Sequence, residues 1–408
     1  MSDYFDRSET RSAKSREAAL FREFRPIVSM AKNHAFGLRK QIRSIDISRI
    51  KSYQDLARVP TVRKADLMQA VCDEPPYAGV NAARIGAMRH VLAHVATGRG
   101  RDWWVASRAM HAAQFKSNDV VLNCGSYHLQ ASGHMVAEAA DSLGCATIAA
   151  GPSDVDAHLY CISRFKPAAY CGKPGALRRI VERAGVTNHD ISSLTKALVF
   201  GAPLSTHFRR QCEARGLRIR QAYFVPEVGV VAYETSAPDG TTCEGMIVNE
   251  GVIVEILDPV TEQSVAVGEI GEVTITRLNH DFPVLRMRTG DLSRVIAGVS
   301  PCGRTNLRIQ GWMGRVEEVV RYKDRMVCPS LVLAMRARHA CVRGMRLVVS
   351  GSDDIILRAE GTKDDPQLPI KLRTTMQSVL GFEARIDIVP PGVLPRDGKL
   401  IVDERARV

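Results

Sequence analysis

The chain has 408 residues, and its 56 Lys and Arg against 44 Asp and Glu give a net charge of +12. This length exceeds a single small core, so we expect one large domain and a smaller one. No apolar run reaches the roughly 18 residues of a membrane span, and the charged residues 1–18 lack the apolar stretch of a signal peptide. We therefore expect a cytoplasmic protein with no membrane partner.

The positive charge does not predict a nucleic-acid partner. The basic segments are rich in arginine but interspersed with acidic residues, as in residues 209–221, and only 6% of the chain is aromatic. A nucleic-acid binder more often shows a concentrated basic stripe or stacking aromatics. The ten cysteines are scattered without a CxxC pair, which argues against a disulfide framework. Cys302 has only Cys243 as an obvious second zinc ligand, whereas a structural zinc normally takes four ligands, so we do not expect a zinc site.

Residues 8–40 have helical spacing of apolar positions, and from Asp119 onward predicted strands alternate with predicted helices. The strands are predicted at 120–124, 145–150, 168–171 and 196–201, and the helices at 131–143, 157–165, 174–184 and 206–215. Strands that alternate with helices of this length indicate βαβ units and a parallel sheet.

After Glu234 the pattern becomes rich in turns and strands, with hairpin-like segments between residues 251 and 298. These segments predict a small barrel or antiparallel sheet, and a final α+β module follows with one helix at 368–380. The predicted fold is therefore α/β. It has a large N-terminal domain, 1–316, with parallel βαβ sheets and a small β-barrel-like part. A small mobile α+β C-terminal domain, 317–408, completes it.

Two turns carry the strongest chemical signal. An Arg-Thr-Gly-Asp turn ends at Asp291, and a Gly-Arg-x-Glu-Glu turn with Arg315 at its second position follows about one hairpin later. An aspartate on a turn can accept both hydroxyls of a ribose, and an arginine can clamp a phosphate. Taken alone, each of these residues also fits an ordinary surface turn.

Three further segments stand in a fixed order with these turns: FGAPLS at 200–205, QAYFVPEVG at 221–229 and PGVLPRDGKL at 391–400. Together they resemble the phenylacetate–CoA ligase-like branch of the adenylate-forming superfamily, and the resemblance covers essentially the whole chain. It implies a nucleotide site, a mobile lid domain and two successive half-reactions.

The resemblance implies a role for each matching residue. Nucleotide binding is expected from Thr97, Gly98, Arg99, Gly100, Gly201, Ala202, Pro203, Tyr223, Asp291 and Arg315. Lys399 would be the catalytic lysine and Glu317 the domain hinge, while Glu227 would act in catalysis as a ligand of Mg²⁺. The acid would be aryl or arylacetic, in a pocket with Tyr127, His128 and Phe224. A lone histidine such as His128 or His134 also fits a polar core or a helix cap.

The chain departs from the family pattern at the phosphate loop, HVATGRGRDWW at 94–104. Ala96 replaces a hydroxyl, and Arg99 and Arg101 enter a loop with fewer glycines. Phe224 replaces a glycine beside adenine, and Pro226 removes a hydroxyl and a backbone donor before Glu227. A third departure is Asp324, where the branch has glycine. From these changes we expect weaker ATP binding than the family pattern would provide.

The resemblance implies ATP, Mg²⁺ and coenzyme A or a carrier thiol as cofactors, and a small carboxylic acid as substrate. An acyl-carrier protein and a homodimer are further possible partners. Two alternatives stay open: an ATP-independent acyl-thioester transferase, and a non-catalytic binding paralogue. A Rossmann dehydrogenase fits poorly, because Gly98 and Gly100 lack the third glycine of that fingerprint.

Overall fold

The computed structural model describes residues 3–34, 36–73, 88–93, 95–322, 325–350, 354–362, 365–395, 397 and 399–405. The helices are α1 (Ala13–His34), α2 (Phe36–Gln41), α3 (Tyr53–Leu56), α4 (Lys64–Asp73), α5 (Ser107–Ala112), α6 (Ser132–Ser142), α7 (Val155–Phe165), α8 (Pro174–Thr187), α9 (Thr206–Glu213), α10 (Pro329–Ala337) and α11 (Leu368–Leu380). Among the described helices, none is both long and apolar enough to cross a membrane.

The strands of the first half are β1 (Val62–Arg63), β2 (Met88–Val91), β3 (Ala96–Gly98), β4 (Val120–Asn123), β5 (Ala146–Ala149), β6 (Ala169–Gly172), β7 (Lys196–Val199), β8 (Arg218–Val225), β9 (Gly229–Tyr233) and β10 (Met246–Val248). Those of the second half are β11 (Val252–Leu257), β12 (Ile270–Arg277), β13 (Val284–Ile296), β14 (Arg308–Ile309), β15 (Val320–Tyr322), β16 (Arg325–Val327), β17 (Met345–Val349), β18 (Ile355–Glu360), β19 (Arg385–Val389) and β20 (Ile401–Asp403).

A single large sheet carries the candidate site. Its order is β11-β12-β13-β14-β10-β9-β8-β7-β6-β4-β5, and β1 pairs with β13 beside this path. Strands β4 to β8 are parallel, as the βαβ pattern predicts, because a helix after each of β4 to β7 returns the chain to the end of the sheet where the strands begin. From β8 to β9 the pairing becomes antiparallel. The predicted α/β class is confirmed.

The predicted barrel-like part needs a correction. Strands β9 to β14 extend the large sheet in antiparallel pairs, and β11 lies at one edge of the path while β5 lies at the other. Within the described residues these strands therefore form no closed barrel. Register shifts between Glu272 and Thr274 and between Ile275 and Arg277 give this part its irregular pairing.

The final segment forms a separate sheet in the order β19-β18-β17-β20, with α10 and α11 packed on it. Its apolar core includes Leu347, Leu357, Leu372 and Met376, all fully buried. This is the predicted α+β module. The domain boundary at residue 316 and the mobility of the module stay predictions.

Candidate functional site

Asp291 and Arg315 meet in the structure, although 24 positions separate them. They form an isolated antiparallel bridge, and the Arg315 Nη1 donates to Asp291 Oδ1 at 2.7 Å. The Tyr223 hydroxyl donates to the other carboxylate oxygen, Oδ2, at 2.8 Å. Burial and the Asp291 charge raise the pKa of Tyr223 well above its usual value, which keeps this hydroxyl protonated. The carboxylate is therefore fixed, yet each oxygen has a lone pair left for a further donor.

The turn that carries Asp291 is anchored by two buried side chains. Arg288 pairs with Glu272 at 2.6 Å, and Glu272 Oε1 accepts the backbone N–H of Gly290 at 2.9 Å. Gly290 has a φ of +77°, and a Cβ there would lie 3.3 Å from Arg315 Nη2. Glycine at this position thus allows both the turn and the approach of Arg315. Arg288 was part of the sequence motif, whereas Glu272 was missed.

A pocket of about 340 Å³ opens beside this carboxylate. Its lining residues are Gly201, Ala202, Pro203, Gln221, Ala222, Tyr223, Phe224, Met246, Asp291, Trp312 and Arg315. The volume lies in the range of small-molecule sites. The structure thus brings together six of the ten residues expected to bind nucleotide, and Phe224 with them.

Four pocket residues were not predicted from the sequence: Gln221, Ala222, Met246 and Trp312. Gln221 donates from its amide nitrogen to the Ala202 carbonyl at 3.0 Å and so connects β8 to the loop after β7. Trp312 lies two positions before Gly314 of the motif, and this closeness in sequence could have indicated that it lines the pocket. No sequence pattern indicates that Met246 lies there.

Glu227 lies outside this lining, fully buried in the turn between β8 and β9. Its Oε2 accepts from Lys64 Nζ at 2.9 Å, while its Oε1 is buried without a hydrogen-bond partner. A buried carboxylate oxygen without a donor is costly, and a carboxylate oxygen of this kind can serve as a ligand of a cation such as Mg²⁺. Lys64 begins α4, 163 positions earlier in the chain, and no local pattern predicts this pair.

The same turn is bound to the last two residues of the phosphate loop, Trp103 and Trp104. The Trp104 indole N–H donates to the Pro226 carbonyl at 3.0 Å. The Arg277 guanidinium donates to the carbonyls of Val228 and Trp103, and burial lowers its pKa to about 10. The phosphate-loop region and the Glu227 turn therefore form one rigid unit around Arg277.

The phosphate loop itself is packed by groups of the protein. Thr97 is buried, and its hydroxyl has no hydrogen-bond partner. The Asp281 carboxylate lies directly against Gly98 and accepts from the Trp103 indole N–H at 3.1 Å. Arg99 and Gly100 are exposed. His94, at the start of the loop, lies outside the described residues.

Arg101 does not face the loop. Its guanidinium lies at 3.3 Å and 3.4 Å from the carbonyl oxygens of Asp141 and Ser142, at the end of α6. A cation is stabilised there by the negative end of the helix dipole. This contact gives Arg101 a structural role.

The residues expected to bind the acid divide between two places. Phe224 lines the pocket, whereas Tyr127 and His128 are absent from its lining. The Tyr127 hydroxyl accepts from the Asn123 amide at 2.6 Å, and its ring lies edge-on to His134 at 5.3 Å. His128 is exposed.

His134 belongs to a cluster with His90 and Glu138. The two imidazole rings lie 4.2 Å apart, and His90 Nε2 is 3.1 Å from the Glu138 carboxylate. Burial, followed by the His134 charge, lowers the pKa of His90. No group of three His, Cys, Asp or Glu side chains suited to a metal ion occurs in the described part of the chain.

A model of the AMP-binding enzyme family matches residues 89–279. The phenylacetate-coenzyme A ligase of Pseudomonas putida is 27% identical over 299 residues, which are 68% of this chain and 65% of that protein. The phenylacetate-coenzyme A ligase of Thermus thermophilus is 23% identical over 364 residues, which are 85% of this chain and 78% of the relative. Residues 89–279 thus match the AMP-binding enzyme family, and most of the chain is similar to phenylacetate-coenzyme A ligases of the adenylate-forming superfamily.

Solved structures agree with this family in fold. A 2-hydroxyisobutyryl-CoA ligase in an open conformation, in complex with 2-HIB-AMP and CoA, superposes with a TM-score of 0.83 at 23% identity. The match covers 98% of this chain and 95% of that structure. The amide bond synthetase McbA from Marinactinospora thermotolerans gives a TM-score of 0.53 over 76% of this chain and 65% of the structure.

Lys399 and Glu317, two of the residues expected from the resemblance, are not among the residues that line the nucleotide pocket. Lys399 is exposed and lines a different pocket, of about 500 Å³, within the C-terminal module. Glu317 is exposed, and its Oε1 lies 3.8 Å from Arg315 Nε, next to the nucleotide pocket. Asp324, the third departure from the family pattern, lies outside the described residues.

Proposed function

We propose that the protein activates a carboxylic acid with ATP to an acyl-adenylate and then transfers the acyl group to a thiol, usually that of coenzyme A. The observation that carries this proposal is the pocket in which Asp291, Arg315 and Tyr223 meet the loop 201–203. A fixed carboxylate beside a flat, partly apolar pocket suits a nucleoside. The pairing of Arg315 with this carboxylate also keeps a cation close to the phosphate side.

Each residue has a definite task in this proposal. Asp291 accepts the ribose hydroxyls, while the Tyr223 ring and the loop 201–203 face adenine. Lys399 binds the carboxylate and the α-phosphate during the first half-reaction and stabilises the negative charge that develops. The orphaned Glu227 Oε1 fits Mg²⁺, which would neutralise the leaving pyrophosphate when bound. Thr97, whose buried hydroxyl also lacks a partner, would contact the phosphates with Gly98, Arg99 and Gly100.

Lys399 lines a pocket of the C-terminal module and is absent from the lining of the nucleotide pocket. The proposal therefore includes a rotation of the C-terminal module about Glu317. This rotation brings Lys399 to the nucleotide for the first half-reaction and removes it for the second. Hinge closure of a small domain is a common way to build two active sites around one cleft.

The acid is proposed to be aryl or arylacetic. Phe224 lines the pocket with Trp312 and Met246, and the relatives from P. putida and T. thermophilus are named for phenylacetate. Tyr127 and His128 stay candidate acid contacts. An acyl-carrier protein is the alternative acceptor, and light scattering tests the proposed homodimer.

ATP–pyrophosphate exchange with a panel of aryl and arylacetic acids tests the first half-reaction. We expect acid-dependent exchange in the wild type and a loss of about 10²–10³-fold in Lys399→Ala, because one preorganised charge is removed. Glu404→Gln, an exposed change near the same segment, serves as the control and should keep wild-type exchange. Absence of exchange with every acid, in a folded protein, would contradict adenylation.

Two observations favour a second candidate, an ATP-independent acyl-thioester transferase. Asp281 places a carboxylate against Gly98, and Lys64 already neutralises Glu227. Both features disfavour a triphosphate and its metal ion at that end. Acyl transfer from a supplied acyl thioester to a second thiol, without ATP and unaffected by Lys399→Ala, identifies this activity.

A further inference from the structure

The segment that carries Lys399 is held by a buried carboxylate outside the nucleotide site. Glu360, the last residue of β18, is 9% exposed. Its Oε1 accepts the backbone N–H groups of Gly392 and Leu394, both at 2.9 Å. A carboxylate that accepts two backbone donors fixes the turn between them more firmly than a neutral side chain would.

A buried arginine holds the next part of the same segment. Arg346 of β17 is 7% exposed, and its Nη2 donates to the Pro395 carbonyl at 3.0 Å and pairs with Asp397. The Asp397 Oδ1 in turn accepts the backbone N–H of Lys399 at 3.0 Å. Polar contacts therefore connect Arg346 of β17, through Asp397, to the backbone of Lys399.

The sequence makes room for this arrangement at Gly344. A Cβ at this position would lie 2.5 Å from Glu360 Oε2, closer than real contacts allow. Any side chain here would displace the carboxylate. Since Gly344 does not have a positive φ, the requirement is for space beside Glu360 rather than for an unusual backbone.

We propose that Glu360 and Arg346 are positioning residues for adenylation: their contacts with residues 392–395 and 397 preset the backbone before Lys399 so that the lysine reaches the nucleotide in one geometry. This inference rests on the proposed function. A lysine on a free loop would lose conformational entropy each time it met the phosphate, and a preset loop avoids most of that cost. Because Lys399 acts only in the first half-reaction, Glu360 and Arg346 affect that half-reaction alone.

The test separates the two half-reactions. The first is ATP–pyrophosphate exchange, and the second is thioester formation from supplied acyl-adenylate and coenzyme A. We expect Glu360→Gln to lower exchange about tenfold and Glu360→Ala about a hundredfold, in line with the loss of hydrogen bonds to a charged group. Arg346→Gln should fall between them. Thioester formation should change less than about twofold in all three.

Two matched controls accompany these variants. Glu383→Gln changes an exposed glutamate of the same module and should leave both half-reactions unchanged. Gly344→Ala should reproduce the loss seen in Glu360→Gln, because the added methyl displaces the carboxylate. Gly185→Ala should have no such effect, since a Cβ there meets open space.

Hydrogen exchange verifies the fold of each variant. The amides of Gly392 and Leu394 should exchange faster in Glu360→Ala, while those of β17 and β18 stay protected. Equal losses in both half-reactions, or no loss in either, would overturn the positioning role. If the wild type itself shows no ATP–pyrophosphate exchange, the proposed function fails. If the wild type and its variants exchange at the same rate, only the positioning role fails.

Discussion

The nucleoside end and the phosphate end of the proposed site are built in opposite ways. At the nucleoside end, Asp291 is held by Tyr223 and Arg315 and faces a pocket of about 340 Å³. At the phosphate end, Glu227 is paired with Lys64, and Asp281 lies against Gly98. At the nucleoside end the polar groups line a pocket that a ligand can enter. At the phosphate end, polar groups such as Glu227 Oε2 and the Asp281 carboxylate already have hydrogen-bond partners within the protein. ATP binding in this chain should therefore depend most on the nucleoside end.

The largest expected effect concerns the Lys64–Glu227 pair. Lys64→Met leaves the fully buried Glu227 carboxylate without a cation, and we expect a loss of about 3 kcal/mol in unfolding free energy, since removal of one partner of a buried pair is strongly destabilising. Lys166→Met is the control, because Lys166 pairs with Asp190 at the surface. It should cost less than about 1 kcal/mol.

The double variant Lys64→Met, Glu227→Gln sharpens this prediction. It should recover part of the loss, because no uncompensated charge is left in the interior. Urea unfolding of the wild type, Lys64→Met, Glu227→Gln and the double variant gives the coupling energy between the two side chains. If Lys64→Met loses no more stability than Lys166→Met, the phosphate end is not held by this ion pair.

The second effect tests the nucleoside end. Asp291→Asn keeps the shape of the side chain but removes the charge that orders Arg315 and accepts the ribose hydroxyls. We expect the KM for ATP in pyrophosphate exchange to rise about tenfold to a hundredfold, with a similar loss in AMP affinity by calorimetry. Asp239→Asn, an exposed turn aspartate, should leave both values unchanged. An unchanged affinity in Asp291→Asn would remove this carboxylate from the site.

Asp281→Asn should act in the opposite direction. Asn retains the acceptor for Trp103 but removes a negative charge from beside Gly98. We expect the KM for ATP to fall about fivefold, which corresponds to a screened repulsion of roughly 1 kcal/mol. Asp239→Asn again serves as the control. An increase in KM would mean that the carboxylate supports the loop rather than repelling phosphate.

The sequence predicted what depends on order along the chain. The alternation of strands and helices led to the parallel sheet, and the order of short motifs led to the convergence of Tyr223, Asp291 and Arg315. It missed the residues whose partners are remote: Lys64 lies 163 positions from Glu227, and Trp103 lies 178 from Asp281. No local pattern marks such pairs. Hairpin signals also could not distinguish an extended sheet from a barrel, since both have the same alternation.

The smallest expected effect concerns the two arginines of the phosphate loop. The Arg101 guanidinium lies on the carbonyl oxygens of Asp141 and Ser142, so Arg101→Gln should change the KM for ATP less than about twofold and cost at most about 1 kcal/mol of stability. Arg99 is exposed. Arg99→Gln should therefore raise the KM for ATP about threefold, as expected for one exposed charge near phosphate. Equal effects of the two substitutions would show that the loop rearranges when ATP binds, because Arg101 could act only after leaving α6.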